Sequence, residues 1–351
     1  MLSNISSPHA HSQNSTADVM RTVLLATLPG FVALLHFFGP GVVINLVLAA
    51  TTALACEAVI LKLRKRPILF YLRDYSALVT AVLLGLALPP YCPWWIPVIG
   101  TAAAIIAAKH LYGGLGYNPF NPAMVGYVVL LISFPIAMTQ WAAPRNVLEQ
   151  GQTLLGVVDA LKQVFGEIGL DGYSGATPLD AFKHREGETV AQFYSSQALF
   201  TQAKWAAAGW EWVNIGFLFG GLYLLYKKIF TWHAPVCMLA ALVVMSVLFY
   251  DGGSSVSGGS PVMHLLSGGT MLGAFFIVTD PVTSASSNLG RAIYGACVGV
   301  LVYIIRAWGN YPDAVAFGVL LMNFAAPFLD YYTVPRSYGH EKRKNIIGKN
   351  Q

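Results

Sequence analysis

Long apolar runs, each near 20 residues and separated by short polar or Gly/Pro-rich turns, recur along almost the whole chain. About 20 apolar residues is what a helix needs to cross the hydrocarbon core of a bilayer. In that medium every backbone N–H and C=O must be satisfied within the segment, so such runs fold as helices. The runs predict spans at about 22–38, 41–61, 75–91, 94–110 and 122–139, then 211–227 and 234–250. An eighth ends near Thr279, a ninth runs from Arg291 to about 306, and a tenth covers 313–330. The expected fold is an all-α polytopic membrane protein of about ten transmembrane helices.

Composition narrows the function classes. The chain has 351 residues, 56% of them hydrophobic and 11% charged, with mean hydropathy +0.58. A soluble domain is about a quarter charged. The net charge of +5 reads as a loop-orientation signal, not as affinity for nucleic acid. Cys56, Cys92, Cys237 and Cys297 are scattered, with no Cys-x-x-Cys, so iron–sulfur, structural zinc and disulfide frameworks lack support. No Gly-x-Gly-x-x-Gly follows a strand, and no pair of His at helical spacing would hold a haem. No metal site and no catalytic residue is expected. Residues 1–20 are polar and show no cleavable signal peptide.

Lys and Arg set the orientation. With the N-terminus inside, fifteen fall on the cytoplasmic side and six on the other, five of those within one long loop. The expected organisation is a polar cytoplasmic tail (1–20), membrane helices one to five (21–139), a long extracytoplasmic loop (140–210), membrane helices six to ten (211–331) and a basic cytoplasmic tail (332–351). The spacing of Leu154, Leu155, Val158, Leu161 and Val164 predicts a surface helix in the loop. A weak internal repeat relates the Asn-Pro-rich turn at 118–122 to the Asp280-Pro281 turn, at places where helices break. Trp94, Trp95, Trp141, Trp210, Trp212, Trp308, Tyr331 and Tyr332 read as an interfacial belt.

One polar segment in the loop stands apart: Asp171-Gly172-Tyr173-Ser174-Gly175-Ala176-Thr177-Pro178. Gly172 and Gly175 lower the cost of unusual backbone angles, and Pro178 biases Thr177 away from the helical region. The expected result is an exposed Thr hydroxyl on a tight turn with little bulk around it. A plain loop tip accounts for the same residue types. Ser174 and Asp171 read equally as recognition residues or as turn formers. Elsewhere, Asp280 at a span edge is a functional candidate and also an ordinary cap residue. Glu57, the deepest carboxylate, either lies on an ion path or snorkels towards Lys62. Asn118 and Asn121 tie down broken backbone. Lys109-His110 reads as an interfacial anchor first and as a contact to a cofactor's phosphate second.

The 171–177 segment resembles a flavinylation signature, Asp-x-x-Ser/Thr-Gly-Ala-Thr/Ser, matched here by Asp171, Ser174, Gly175, Ala176 and Thr177. In that signature the final Thr or Ser carries FMN through a phosphoester. A dedicated flavin transferase that uses FAD and a divalent metal places it there. Further matches are Asp74-Tyr75-Ser76-Ala77-Leu78-Val79-Thr80, Leu88-Pro89-Pro90, Lys109-His110, Gly116-Tyr117-Asn118-Pro119-Phe120-Asn121-Pro122-Ala123 and Thr279-Asp280-Pro281-Val282-Thr283. Together they resemble, over about residues 20–335, the NqrB/RnfD family of membrane proteins. Its RnfD branch serves the Rnf (Rsx) ion-translocating electron transport complex. Its more distant NqrB branch serves the Na⁺-translocating NADH:quinone reductase.

The resemblance implies covalent FMN on Thr177, with Asp171, Ser174, Gly175 and Ala176 forming the attachment motif. It implies electron transfer between ferredoxin or NADH and other acceptors, coupled to Na⁺ or H⁺ movement across a bacterial inner membrane. It is compatible with a second, non-covalent flavin, and Asp280, Asn118, Asn121 and Glu57 are the candidates for that site or for an ion path. The implied partners are the other components of such a complex, the flavin transferase and the lipid bilayer. The chain is then a redox component of a translocase and not a catalyst alone. A secondary transporter or channel without a redox cofactor, and a structural membrane scaffold, are the rival readings.

Overall fold

The computed structural model describes residues 15–148, 154–166, 174–185, 187–311 and 313–333, and nearly all of its regular structure is helical. Among the described residues, four helices are long and apolar enough to cross a membrane: Thr16–Phe38, Gly41–Leu63, Asn288–Trp308 and Val315–Thr333. Four more apolar helices are shorter: Ser76–Ala87, Trp95–His110, Pro122–Ser133 and His233–Leu248. Trp210–Tyr226 packs among them.

The shortening has local causes. Leu88 is extended ahead of Pro89-Pro90, which ends the Ser76–Ala87 helix. Pro135 starts a separate turn, Pro135–Thr139, after Phe134 leaves the helical region. The eighth expected span is a broken helix. Pro261–Leu266 stops, Ser267-Gly268-Gly269 crosses with Gly268 at φ +61°, and Thr270–Leu272 runs into a π-helical turn at Gly273–Ile277. A second π-helical stretch, Ala104–His110, ends the Trp95 helix. One π segment leads into the polar turn at 118–122 and the other into the Asp280-Pro281 turn. Wide turns of this kind are rare and concentrate near functional sites.

Two helix pairs pack through glycines four residues apart. A Cβ on Gly220 would overlap the Ala26 carbonyl oxygen, and one on Gly216 would lie 2.7 Å from that of Pro29. Gly295 and Gly299 stand in the same relation to the carbonyls of Ala234 and Met238. Lipid tails are as apolar as leucine, so close backbone approach, not hydrophobic expulsion, holds such helices together. Large apolar side chains meanwhile are exposed on the apolar helices, among them Val59, Phe219 and Phe324.

The described residues between Trp141 and Gly209 are folded. Trp141–Ala142 pairs antiparallel with Ser174–Gly175. The same stretch holds short helices at Val157–Val164, Pro178–Lys183 and Val190–Ser196. Phe182, Phe193, Tyr194 and Phe200 pack together, with Tyr194 stacked on Phe200 at 4.7 Å. The Glu211 carboxylate closes the loop: it accepts the backbone N–H of Lys204 (3.0 Å), Trp205 (2.8 Å) and Ala206 (3.1 Å). The amphipathic helix turns differently from its expected face. Ala160, Gln163 and Val164 are buried, while Val158 and Leu161 are exposed. Contact with the rest of the fold, not the leucine spacing, sets its rotation.

Candidate functional site

Local sequence places Thr177 firmly. The Ser174–Gly175 strand ties the segment to Trp141–Ala142, and Pro178 opens the Pro178–Lys183 helix with Thr177 as its N-cap. Thr177 is extended (φ −67°, ψ 157°), as the residue before proline should be. Its Oγ1 accepts the Asp180 N–H at 3.2 Å. The residue is half-buried, while Ser174 and Ala176 are exposed. The hydroxyl therefore sits on a helix cap, not on the free tight turn expected. Gly175 keeps ordinary extended backbone, and a Cβ there would meet only Ala143, at 3.8 Å. Its value is the open space beside Thr177, not conformational freedom. Asp171 lies outside the described residues, as does Gly172.

Thr177 and Asp180 stand on the rim of a narrow cavity of about 70 Å³. Its walls include Trp141, Trp210, Tyr127 and Met138, and Gly268, Gly269 and Asp313 also line it. Trp141 and Trp210 lie 4.7 Å apart and pack on Phe38. Both are buried, so they line this cavity and are not part of an interfacial belt. Trp94, Trp308, Tyr331 and Tyr332 are exposed. Thr177 fits covalent attachment: a half-exposed hydroxyl with room on one side and aromatic surface on the other. The cavity is far below the roughly 300–1,000 Å³ of ligand pockets, so a bulky ring would enter it only if side chains moved.

The floor of the cavity is the break in the helix. Arg306, buried, donates to the His264 carbonyl (2.9 Å), Thr270 Oγ1 (2.9 Å) and Asp313 Oδ1 (3.1 Å). Asp313 Oδ2 accepts the Gly269 N–H at 2.8 Å. Asn214 donates to the Gly268 carbonyl and accepts from the Met271 N–H. Broken helices in membranes are tolerated where side chains re-satisfy the freed backbone. Sequence reasoning missed Asn214, Arg306 and Asp313. The available signal was Asn214 inside one apolar run, and Arg306 and Asp313 at the facing edges of two others.

The other polar candidates gather at the far end of the Ser76–Ala87 helix, whose Leu86 and Ala87 touch the Thr177 cavity. Twelve residues put these ends about 18 Å apart. There a cavity of about 120 Å³ is lined by Asn118, Asn121, Asp280, Thr80 and Lys109. Asp280 accepts from Asn121 Nδ2 (3.3 Å), Thr283 Oγ1 (2.9 Å) and the Val282 N–H (3.1 Å). Asn121 also caps its helix by accepting the Met124 N–H. Asn118 donates to the Phe120 carbonyl, and its Oδ1 is buried without a partner among the described residues.

Glu57 does not line that cavity and does not snorkel to Lys62. It pairs with Lys109, Nζ to Oε1 at 2.7 Å, with His110 Nε2 at 3.3 Å. Lys109 also donates to Ser76 Oγ at 2.7 Å, and Ser76 Oγ to Asp74 Oδ1 at 2.6 Å. Lys109 and His110 are buried, so neither is an exposed anchor. Lys62 follows Glu57 on the same helix but points about 140° away around its axis. Lys109 faces Glu57 from the neighbouring helix and meets it directly. Asn118, Asn121 and Asp280 thus share one cavity, Glu57 reaches it through Lys109, and Thr177 stands apart.

The profile of the NQR2, RnfD, RnfE family matches residues 3–339. Three similar proteins each bear the name of the D component of an ion-translocating oxidoreductase complex. The protein of Cellvibrio japonicus is 60% identical over 342 residues, covering 97% of this chain and 96% of its own length. That of Ectopseudomonas mendocina is 58% identical, with 97% of each covered. That of Vibrio vulnificus is 51% identical, covering 95% of this chain and 98% of its own.

Proposed function

Because the chain belongs to the NQR2, RnfD, RnfE family, we propose that it is the flavin-carrying membrane component of an ion-translocating oxidoreductase complex. It holds FMN as a phosphoester on Thr177. The observation that carries this reading is the placement of the Thr177 hydroxyl, half-exposed at the rim of a cavity walled by Trp141 and Trp210. Ser174, Gly175 and Ala176 lie on the open side, where a transferase has access. The flavin supplies one- and two-electron chemistry when bound. The chain's own residues tether it, offer the Trp141 and Trp210 rings beside it and join the 141–209 segment to the broken helix.

The expected arrangement puts both termini in the cytoplasm and the Thr177 loop in the periplasm, with ten crossings of the inner membrane. The remaining components of the complex supply the acceptors and donors. The cavity of Asn118, Asn121 and Asp280, at the opposite end, suits the coupling-ion path or, once its side chains move apart, a second, non-covalent flavin.

The test is mass spectrometry of the Thr177 peptide from chain made alongside its flavin transferase. An FMN adduct, lost together with in-gel fluorescence in Thr177→Ala, is the expected result. A bare Thr177 under those conditions overturns the redox reading. The rival transporter reading draws on the broken helix at Ser267-Gly268-Gly269; solute or ion flux by flavin-free chain alone would select it.

A further inference from the structure

A third cavity lies beside the first, on the far side of Leu179, and differs from it in size and charge. It measures about 680 Å³, within the range of ligand pockets. Phe249, Tyr303 and Trp308 form an aromatic wall, with Phe249 and Trp308 edge to face at 4.9 Å. Lys183, Arg185 and Arg306 all line it, against one lining carboxylate among the described residues, Asp251.

Three donors there are buried without a partner among the described residues: Arg185 Nε, Arg306 Nε and Tyr303 Oη. Tyr303 and Arg306 are themselves more than nine-tenths buried. A buried donor left without an acceptor loses its hydration and gains nothing in return. Arg306 has its charge answered by Asp313. Lys183 and Arg185 have no carboxylate within ion-pair distance among the described residues. Their hydrogen bonds go to backbone carbonyls instead: Lys183 to Gly309, and Arg185 to Phe182, Ser255 and Ser257. Loss of water lowers the pKa of both, against a smaller opposing pull on Lys183 from Asp180 and on Arg185 from Tyr194. Two half-buried cations, with unpartnered donors on Arg185, Arg306 and Tyr303, face a roomy cavity that lacks one thing, an oxyanion.

We propose that this cavity, between the Pro178–Lys183 helix and the Phe249–Tyr303–Trp308 wall, binds a phosphoryl-bearing ligand with an apolar body, its oxyanion held by Lys183, Arg185 and the Tyr303 hydroxyl. The aromatic wall takes the apolar body. A phospholipid headgroup and a soluble phosphorylated compound offer the same chemistry. The site does not depend on what Thr177 carries.

The test uses the full chain, delipidated in dodecyl maltoside. It is titrated at matched ionic strength with sodium phosphate, free FMN, dihexanoyl phosphatidylglycerol or sodium chloride. Calorimetry and the thermal midpoint are the readouts. The expected result is that at least one phosphoryl probe binds where chloride does not, with Kd raised at least about tenfold in Arg185→Gln and severalfold in Tyr303→Phe. Binding of phosphatidylglycerol alone assigns a lipid headgroup; binding of phosphate or FMN assigns a soluble ligand. Tyr303→Phe removes one oxygen and keeps the wall, so it decides the matter if Arg185→Gln does not fold. No phosphoryl binding beyond chloride, or equal binding by the wild type and Tyr303→Phe, overturns the proposal.

Discussion

Lys109 Nζ lies 2.7 Å from Glu57 Oε1, 52 positions away in the chain, and both side chains are buried. The pair joins the Gly41–Leu63 helix to the π-helical end of the Trp95 helix. It also reaches the Ser76 helix through Ser76 Oγ.

Breaking this pair from one side leaves an uncompensated charge in a medium that solvates it poorly. Glu57→Gln or Lys109→Met should each destabilise the chain by about 3–5 kcal/mol. The double replacement Glu57→Gln with Lys109→Met should cost less than the sum. Unfolding in detergent micelles, run as a double-mutant cycle, checks this; additive losses would show that the two side chains are not coupled.

Glu211 holds three backbone N–H groups of the loop end. Glu211→Ala strands all three at about 1–3 kcal/mol each, partly relieved by water. Hydrogen exchange at Lys204, Trp205 and Ala206 should accelerate more than elsewhere in the loop. Uniform exchange across the loop would mean that the carboxylate does not anchor it.

Thr177→Ser keeps both the hydroxyl and the cap, so it should keep the FMN adduct. Thr177→Ala should lose the adduct and also about 1 kcal/mol from the cap on the Asp180 N–H. Intact-mass measurement and thermal midpoints separate the two losses. An adduct surviving in Thr177→Ala moves the attachment to another residue.

Gly220→Ala drives a methyl into the Ala26 carbonyl oxygen. Backbone cannot swing aside as a side chain can, so the helices must separate, at about 1–3 kcal/mol or more. Gly114→Ala, where no atom lies within 4 Å of the added Cβ, controls for bulk but carries the strain of φ +109°. The discriminating readout is cross-linking between the Thr16–Phe38 and Trp210–Tyr226 helices, which only Gly220→Ala should weaken.

The membrane class was legible because it rests on one strong term, the transfer of some twenty apolar residues into lipid, which acts on each run by itself. The extended backbone at Thr177 was legible for a similar reason: Pro178 and the residue before it restrict one another locally. The broken helix was not, because a Ser-Gly-Gly inside an apolar run looks like any flexible link until Asn214, Arg306 and Asp313 converge on it. The burial of Trp141 and Trp210 escaped for the same cause, since an interfacial tryptophan and a cavity wall have the same sequence surroundings. Apolar length and Pro-directed backbone, terms that act within about twenty residues, were therefore written in the chain itself. Which buried charge meets which partner, as Lys109 meets Glu57 and Arg306 meets Asp313, only the packed helices decided. Electrostatic pairing depends on distances across the bundle, and those exist only once the chain has folded.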